Sequence, residues 1–332
     1  MSLPGGVGLP WAPGSATGIG SLPGTDIVEA LRIVFGELPL PYLAELPARG
    51  PGADLVGRTA GLLVDLPVDV YAGRWRTISR AGRDLRRTAD LRERDLDALT
   101  DQADGYTGPL KLQAAGPWTL AAALQLPVGG ALLRDAGAVR EVTVSLAEGL
   151  AAHVAEVRRR VPGATPLLQL DEPTLPAVLA GRVPTESGFS TLRTVEEPAA
   201  RDALREVISA VGVPVVVHCC AADAPVALAR EAGAAGVALD LSLGPALDPL
   251  AEALDAGLGL FAGAFPAVGT PPAAARVAAT VAELWHKLGL PRERLPEQVV
   301  VTPACGAAGA TPDDSRAGFT VAKEAAQRLL EA

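Results

Sequence analysis

The chain has 332 residues, of which 49% are hydrophobic and 20% charged, and its formal net charge is −9. This composition is typical of a compact globular protein and argues against a disordered one. Basic side chains are interspersed with acidic ones and no apolar run reaches the ~20 residues of a membrane span, so we expect neither nucleic acid nor membrane as a partner. The N-terminal sequence lacks a secretion signal, and the three cysteines are too few for a disulfide framework. These features predict a cytoplasmic protein that uses its cysteines for metal binding or catalysis.

Short apolar runs bounded by Gly and Pro alternate along the chain with longer stretches rich in Ala and Leu. The short runs predict strands and the longer stretches predict helices. In chain order, the predicted strands are residues 16–22, 40–46, 110–115, 167–170, 213–218, 236–241, 258–264 and 299–302. The predicted helices between them include residues 136–161, 198–211, 224–232, 247–256 and 273–288.

About eight strands that alternate with helices imply an α/β fold with a parallel sheet. Continuous apolar strands such as residues 214–217 indicate burial on both faces of that sheet. Eight such units in a chain of this length favour a closed (β/α)8 barrel, or TIM barrel, over an open doubly wound sheet. No linker, low-complexity tract or short repeat stands out, so we expect a single domain over residues 1–332.

Chemically active side chains recur directly after the predicted strands. Ser21 follows the first strand, and Asp171 and Glu172 follow the fourth. Asp240 closes the sixth strand. Enzymes with this fold place their active sites at the C-terminal ends of the strands. The sequence therefore predicts one functional site at that end of the barrel.

One His and two Cys form a candidate metal site at the same rim. His218 and Cys220 stand two positions apart at a strand end, so their side chains point the same way. Cys305 follows the last strand and can share the rim of a closed barrel. Two thiolates and one imidazole with an open position favour catalytic zinc over Mg or Ca. The alternative is that the cysteines pack as small hydrophobic residues, which is our interpretation of Cys219.

Several segments resemble the catalytic barrel of the cobalamin-independent methionine synthases, in the same order along the chain. They are residues 17–23 (TGIGSLP), 116–120 (GPWTL), 168–173 (LQLDEP), 218–220 (HCC) and 303–306 (PACG). The resemblance implies a methyltransferase with Zn²⁺ as cofactor. It would transfer a methyl group to the thiol of homocysteine, giving methionine.

The resemblance also implies roles for individual residues. His218, Cys220 and Cys305 would bind zinc. Asp240 stands in the place of the family's fourth ligand, which is a Glu. The substrate contacts implied in the same way are Ile19 and Ser21 for the homocysteine backbone, Asp171 as the catalytic residue that binds the ammonium group, and Glu172 as its neighbour in the substrate site.

The chain departs from the family at several points. We expect no second, N-terminal barrel, which the full-length family enzyme has. The His that serves the family as a proton donor on the seventh strand is missing from residues 261–266 (FAGAFP). A second acidic contact to the substrate ammonium is not evident, with Glu45 or Asp54 as substitutes. The aromatic that stacks on folate is unassigned, with Trp118 as a candidate.

These departures leave the methyl donor open between methyltetrahydrofolate and a methylcorrinoid, the latter delivered by a corrinoid protein. Three other functions stay open as alternatives. The chain could be a corrinoid-linked methyltransferase for another thiol, a decarboxylase of the uroporphyrinogen type, or a non-catalytic zinc- or thiol-binding relative. Ser21 and Asp171 favour an amino-acid thiol as the acceptor.

Overall fold

The computed structural model describes residues 8–331 and confirms the predicted α/β barrel class. The strands are β1 (Val68–Tyr71), β2 (Arg74–Thr77), β3 (Gly108–Ala115), β4 (Ala164–Asp171), β5 (Val215–Cys219), β6 (Gly236–Asp240), β7 (Gly259–Phe265) and β8 (Val299–Pro303). The helices are α1 (Ile27–Glu37), α2 (Leu55–Ala60), α3 (Arg83–Gln102), α4 (Pro117–Ala123), α5 (Ala136–Arg160), α6 (Leu175–Leu179), α7 (Glu197–Ala210), α8 (Val226–Glu231), α9 (Leu247–Asp255), α10 (Ala274–Lys287), α11 (Leu295–Gln298) and α12 (Pro312–Glu331). The single domain predicted for residues 1–332 includes residues 1–7 and 332, which lie outside the described part.

Strands β3 to β8 form one parallel sheet in sequence order, while β1 and β2 pair as a separate antiparallel hairpin. The six strands of the sheet match the last six predicted strands, with ends that differ by three residues or fewer. They are recognisable from sequence because both of their faces are buried, which makes the runs continuously apolar. The hairpin was not predicted.

Two N-terminal segments, residues 15–22 and 40–46, complete the barrel wall between β8 and β3. Isolated parallel bridges join Ala16 to Val301, Ser21 to Glu45 and Tyr42 to Lys111. The segments thus occupy the places predicted for the first two strands without forming full ladders. Pro39 and Pro41 contribute to this irregularity, because proline has no N–H to donate to a neighbouring strand.

Trp11 closes the N-terminal end of the barrel. Its ring packs edge-on against Phe261 with centroids 4.9 Å apart, and its indole N–H donates to the carbonyl of Glu297 at 3.2 Å. A Cβ at Gly259, the first residue of β7, would lie 2.2 Å from the Trp11 ring. Only glycine at this position therefore leaves room for the Trp11 side chain. The open mouth is therefore at the opposite end, where the strands terminate. Within residues 8–331, no helix combines the length and apolar character needed to cross a membrane.

Candidate active site

Three of the four predicted metal ligands come together at the mouth. The ligand atoms of His218, Cys220 and Cys305 all lie within 4.8 Å of one another, and the two sulfurs are 3.4 Å apart. The imidazole is buried at the end of β5, Cys220 beyond it is half-buried, and Cys305 after β8 is exposed. Cys219 is not a member of this group, and its side chain is buried.

The environment of His218 fits a metal bound through Nε2. Its Nδ1 lies 2.6 Å from Oδ1 of Asp171, whereas its Nε2 is buried without a hydrogen-bond partner among residues 8–331. A ligand histidine in proteins commonly donates its second ring N–H to a carboxylate, which fixes the tautomer and leaves the other nitrogen for the metal. One imidazole and two thiolates are a donor set that suits zinc.

The hydrogen bond between the two thiols of this cluster shifts their pKa values in opposite directions. A hydrogen bond from Cys220 lowers the pKa of Cys305, although partial burial acts in the opposite direction. The same hydrogen bond and burial raise the pKa of Cys220. The pair therefore favours one thiolate in the protein alone, and a bound cation would favour the second.

Asp240 lies at the end of β6 but outside the group of three ligands. Its Oδ1 accepts hydrogen bonds from the Ser242 amide at 2.9 Å and the Ser242 hydroxyl at 2.6 Å. The carboxylate thereby caps the short 3-10 turn that follows the strand. A ligand role for Asp240 stays a prediction.

Asp171, at the end of β4, is positioned by its neighbours on two sides. In addition to the contact with His218, its Oδ1 accepts a hydrogen bond from Nε2 of Gln169 at 2.7 Å. Its Oδ2 accepts none from the side chains or backbone of residues 8–331. Oδ1 of Asp171 is thus engaged by His218 and Gln169, whereas Oδ2 is available to a ligand.

Glu45 is a second acidic side chain on this side of the site. It is buried beside Ser21, to which it is joined by a parallel bridge. Its Oε1 has no hydrogen-bond partner within the described residues and lies 3.7 Å from Nε of Arg58. Burial raises the pKa of Glu45 to about 7, the charge of Arg58 opposes this, and the charge of Asp171 adds to it. The other substitute considered from sequence, Asp54, instead caps α2.

The two predicted backbone contacts, Ser21 and Ile19, lie on the same wall. A Cβ at Gly306 would lie 2.1 Å from Oγ of Ser21, so the glycine allows the hydroxyl to lie against the loop that follows β8. The carbonyl of Ile19 accepts hydrogen bonds from Nζ of Lys111 at 2.7 Å and from Nε2 of Gln169 at 2.9 Å. The backbone at Ile19 is thus fixed by two side chains from the barrel interior.

Glu172 holds the start of α4. Its Oε1 accepts from the amide of Trp118 at 2.9 Å, and its Oε2 accepts from the amide and the hydroxyl of Thr119, both at 2.7 Å. These contacts commit both oxygens, so direct binding of substrate would require breaking them. The indole of Trp118 donates to the carbonyl of Ala200 in α7, which turns the ring toward that helix.

Sequence reasoning did not single out Lys111 and Gln169, which lie behind Asp171. Both side chains are fully buried. The signal in the sequence is the lysine itself, because a charged residue in the middle of an apolar strand is rarely buried unless it is paired. Burial lowers the pKa of Lys111 to about 7, although the charges of Asp171 and Glu45 act against this.

The fold and the site define a (β/α)8 barrel with a thiolate-rich candidate metal centre at its mouth. Residues 15–328 match the family described as "Cobalamin-independent synthase, Catalytic domain", and the chain belongs to this family. It is therefore a methionine synthase-like protein of the methyltransferase class.

Two solved structures match this chain over most of its length, and the first of them supports the fold. A B12-independent methionine synthase from Shewanella sp. W3-18-1, in complex with selenomethionine, superposes with a TM-score of 0.63 at 12% sequence identity, covering 96% of this chain and 98% of that chain. A GH113 beta-mannanase from Alicyclobacillus acidocaldarius gives a TM-score of 0.46 at 13% identity, covering 97% of this chain and 98% of that chain. No curated protein sequence matches this chain.

Proposed function

We propose that this chain transfers a methyl group to the thiol of homocysteine, giving methionine, with zinc bound by His218, Cys220 and Cys305. The observation that carries the proposal is the cluster of three ligand atoms within 4.8 Å of one another. The buried, unpartnered Nε2 of His218 supports it. The family of the chain supports methyl transfer as the reaction class.

The amino-acid part of the substrate is proposed to bind beside the metal site. Oδ2 of Asp171 accepts no hydrogen bond among residues 8–331, and the carboxylate of Glu45 has a single ion-pair partner there, Arg58 at 3.7 Å. Two acidic groups of this kind suit an ammonium group. Ser21 and the backbone at Ile19 would hold the carboxylate. Charge-assisted hydrogen bonds of this kind orient a ligand strongly, so the substrate sulfur would be directed toward the metal ligands.

The reaction itself is a displacement at the methyl carbon. Bound zinc would supply the positive charge that makes the substrate thiol a thiolate at neutral pH. The thiolate attacks the methyl carbon, the new C–S bond forms, and the bond from that carbon to the donor breaks with its electron pair leaving on the donor. The protein's contribution is to hold sulfur and methyl group in line.

Two further residues have supporting roles in this proposal. Asp240 is a weaker fourth ligand, since Ser242 already engages its Oδ1 and only Oδ2 is available to the metal. Glu172 acts through α4, whose first amides it binds. A cytoplasmic location stays a prediction from the sequence.

The methyl donor is proposed to be methyltetrahydrofolate or a methylcorrinoid carried by a protein. Strand β7, residues 259–265, contains only Gly, Ala, Leu and Phe. It therefore offers no acid that could protonate a departing folate nitrogen. This favours a donor whose leaving group needs no proton, such as a methylcorrinoid.

The test is methionine formation by zinc-loaded protein from homocysteine and a panel of donors: methyltetrahydrofolate, its polyglutamate form, methylcobalamin and a methylated corrinoid protein. We expect ~one zinc per chain, with zinc and turnover lost in Cys220→Ser and Cys305→Ser but retained in the control Cys219→Ser. Wild-type protein that binds no zinc after reconstitution would overturn the proposal. Turnover with a simple thiol but not with homocysteine would indicate the alternative thiol methyltransferase. Binding without transfer from any donor would indicate a non-catalytic relative.

A further inference from the structure

Lys111 lies at the centre of a buried hydrogen-bond network. Its Nζ donates to the carbonyl of Ile19 at 2.7 Å and to Oε1 of Gln169 at 3.0 Å, and it lies 3.4 Å from Oε1 of Gln113. It also lies 4.8 Å from the centroid of the Tyr42 ring. The ammonium group is thus surrounded by two amide oxygens, one carbonyl and one aromatic face.

This arrangement determines the orientation of both glutamines. An ammonium group has donors and no acceptor, so each amide must turn its oxygen toward Lys111 and its NH₂ away from it. The NH₂ of Gln169 donates to Oδ1 of Asp171 at 2.7 Å. The NH₂ of Gln113 donates to the carbonyl of Leu43.

The buried cation therefore acts on Asp171, an acidic residue of the substrate pocket, through the amide of Gln169. Without the cation, this amide could rotate and present its oxygen to the carboxylate. Two acceptors would then face each other without a proton between them, which is costly for buried groups. The carboxylate would turn away, and its uncommitted oxygen would leave the pocket.

We propose that Lys111 is a positioning residue for recognition of the substrate's amino group. Through Gln169 it holds Asp171 so that the uncommitted Oδ2 of that carboxylate stays available to the ammonium. The inference rests on the proposed function, since it assigns the residue that prepares the amino-acid pocket. Lys111 itself does not touch the substrate.

The test compares two ligands that differ only in the amino group, homocysteine and 4-mercaptobutyrate, by titration calorimetry on zinc-loaded protein. We expect wild-type protein to prefer homocysteine by at least about tenfold, the value of one charge-assisted hydrogen bond. In zinc-loaded Lys111→Met we expect homocysteine and 4-mercaptobutyrate to bind with equal affinity, while the affinity for 4-mercaptobutyrate stays at the wild-type value. A merely structural role would weaken both ligands equally. The control is Lys323→Met, at an exposed lysine on α12 that pairs with Glu37.

A second variant keeps the test decisive if Lys111→Met does not fold. Gln169→Glu retains an oxygen for Lys111 but has no N–H to offer Asp171, so the preference for homocysteine should again be lost. Retention of the wild-type preference in the folded variants, or a wild type that binds both ligands equally, would overturn the inference. Failure of wild-type protein to bind either thiol would instead overturn the proposed function.

Discussion

Nδ1 of His218 lies 2.6 Å from Oδ1 of Asp171, and the two residues are register partners on the adjacent strands β5 and β4. The contact joins the candidate metal site to the candidate amino-acid pocket. Asp171 accepts a hydrogen bond from Nδ1–H of the imidazole. In the neutral ring the lone pair is therefore on Nε2, where a metal can bind it.

The first prediction concerns this contact. Asp171→Asn removes the negative charge that holds the histidine, and we expect zinc affinity to fall by about 10- to 100-fold. Competition with a chromophoric chelator measures the affinity, and Asp101→Asn on the exposed end of α3 is the control. Unchanged affinity in Asp171→Asn would show that the contact does not tune the metal site.

Asp240 provides a second prediction. Since its Oδ1 is engaged by Ser242, we expect Asp240→Asn to keep bound zinc and to lower affinity by less than about tenfold. Cys305→Ser should lose zinc under the same conditions. Equal loss of zinc in both variants would instead make Asp240 an indispensable ligand.

The close approach of Gly306 to Ser21 gives a third prediction. In Gly306→Ala the new Cβ would lie 2.1 Å from Oγ of Ser21, so the hydroxyl must move. We expect KM for homocysteine to rise by about tenfold, the value of about one hydrogen bond to a charged group, with zinc content unchanged. Gly309→Ala is the matched control, because its nearest neighbour would be 3.7 Å away. Equal KM values in the two variants would count against Ser21 as a substrate contact.

The raised pKa of Glu45 predicts a pH dependence. Burial raises this pKa to about 7, and only the ionised carboxylate attracts an ammonium. Homocysteine should therefore bind more tightly relative to 4-mercaptobutyrate as the pH rises from about 5 to about 6.5, below the range in which Lys111, whose pKa burial lowers to about 7, loses its own charge. Taking the ratio removes the effect of thiol ionisation, which both ligands share. In Glu45→Gln we expect a lower ratio that no longer changes with pH; a wild-type ratio that is flat would contradict the assignment.

The last prediction concerns stability. Glu172→Ala leaves the amides of Trp118 and Thr119 without their buried acceptor, and we expect the free energy of unfolding to fall by at least about 2 kcal/mol. Glu148→Ala, on the exposed face of α5, should change it by less than about 0.5 kcal/mol. Chemical denaturation measures both. A loss of homocysteine binding without loss of stability would assign Glu172 to the substrate site after all.

The parts of the molecule that were predictable from sequence are those with a local signal. Strands β5 and β8 are continuous apolar runs, and a parallel barrel brings the residues that follow such strands to one rim. That rule alone was enough to predict that His218, Cys220 and Cys305 would converge. The same rule predicts that Asp240 lies at this rim, but its hydrogen bonds with Ser242 depend on the turn that follows the strand.

Other features depend on partners that are distant in sequence or on turn geometry. Lys111 contacts Ile19 and Gln169, which are 92 and 58 residues away. The sequence around Lys111 therefore does not predict these contacts. The missed hairpin had a local signal, an alternating pattern around Ala72 and Gly73. Both turn residues have positive φ, 49° and 77°, as a two-residue hairpin turn requires.

The pairing of Asp171 with His218 across adjacent strands also has a consequence for substrate length. Neighbouring strands lie ~4.8 Å apart, and a hydrogen-bonded backbone holds that spacing far more firmly than a loop would. Under the proposed function, the amino group and the sulfur of the substrate must reach two points whose separation the sheet itself sets. Cysteine is one methylene shorter than homocysteine, so it would reach either the site for the amino group or the site for the sulfur, but not both. The spacing of the two strands would thus select the length of the acceptor.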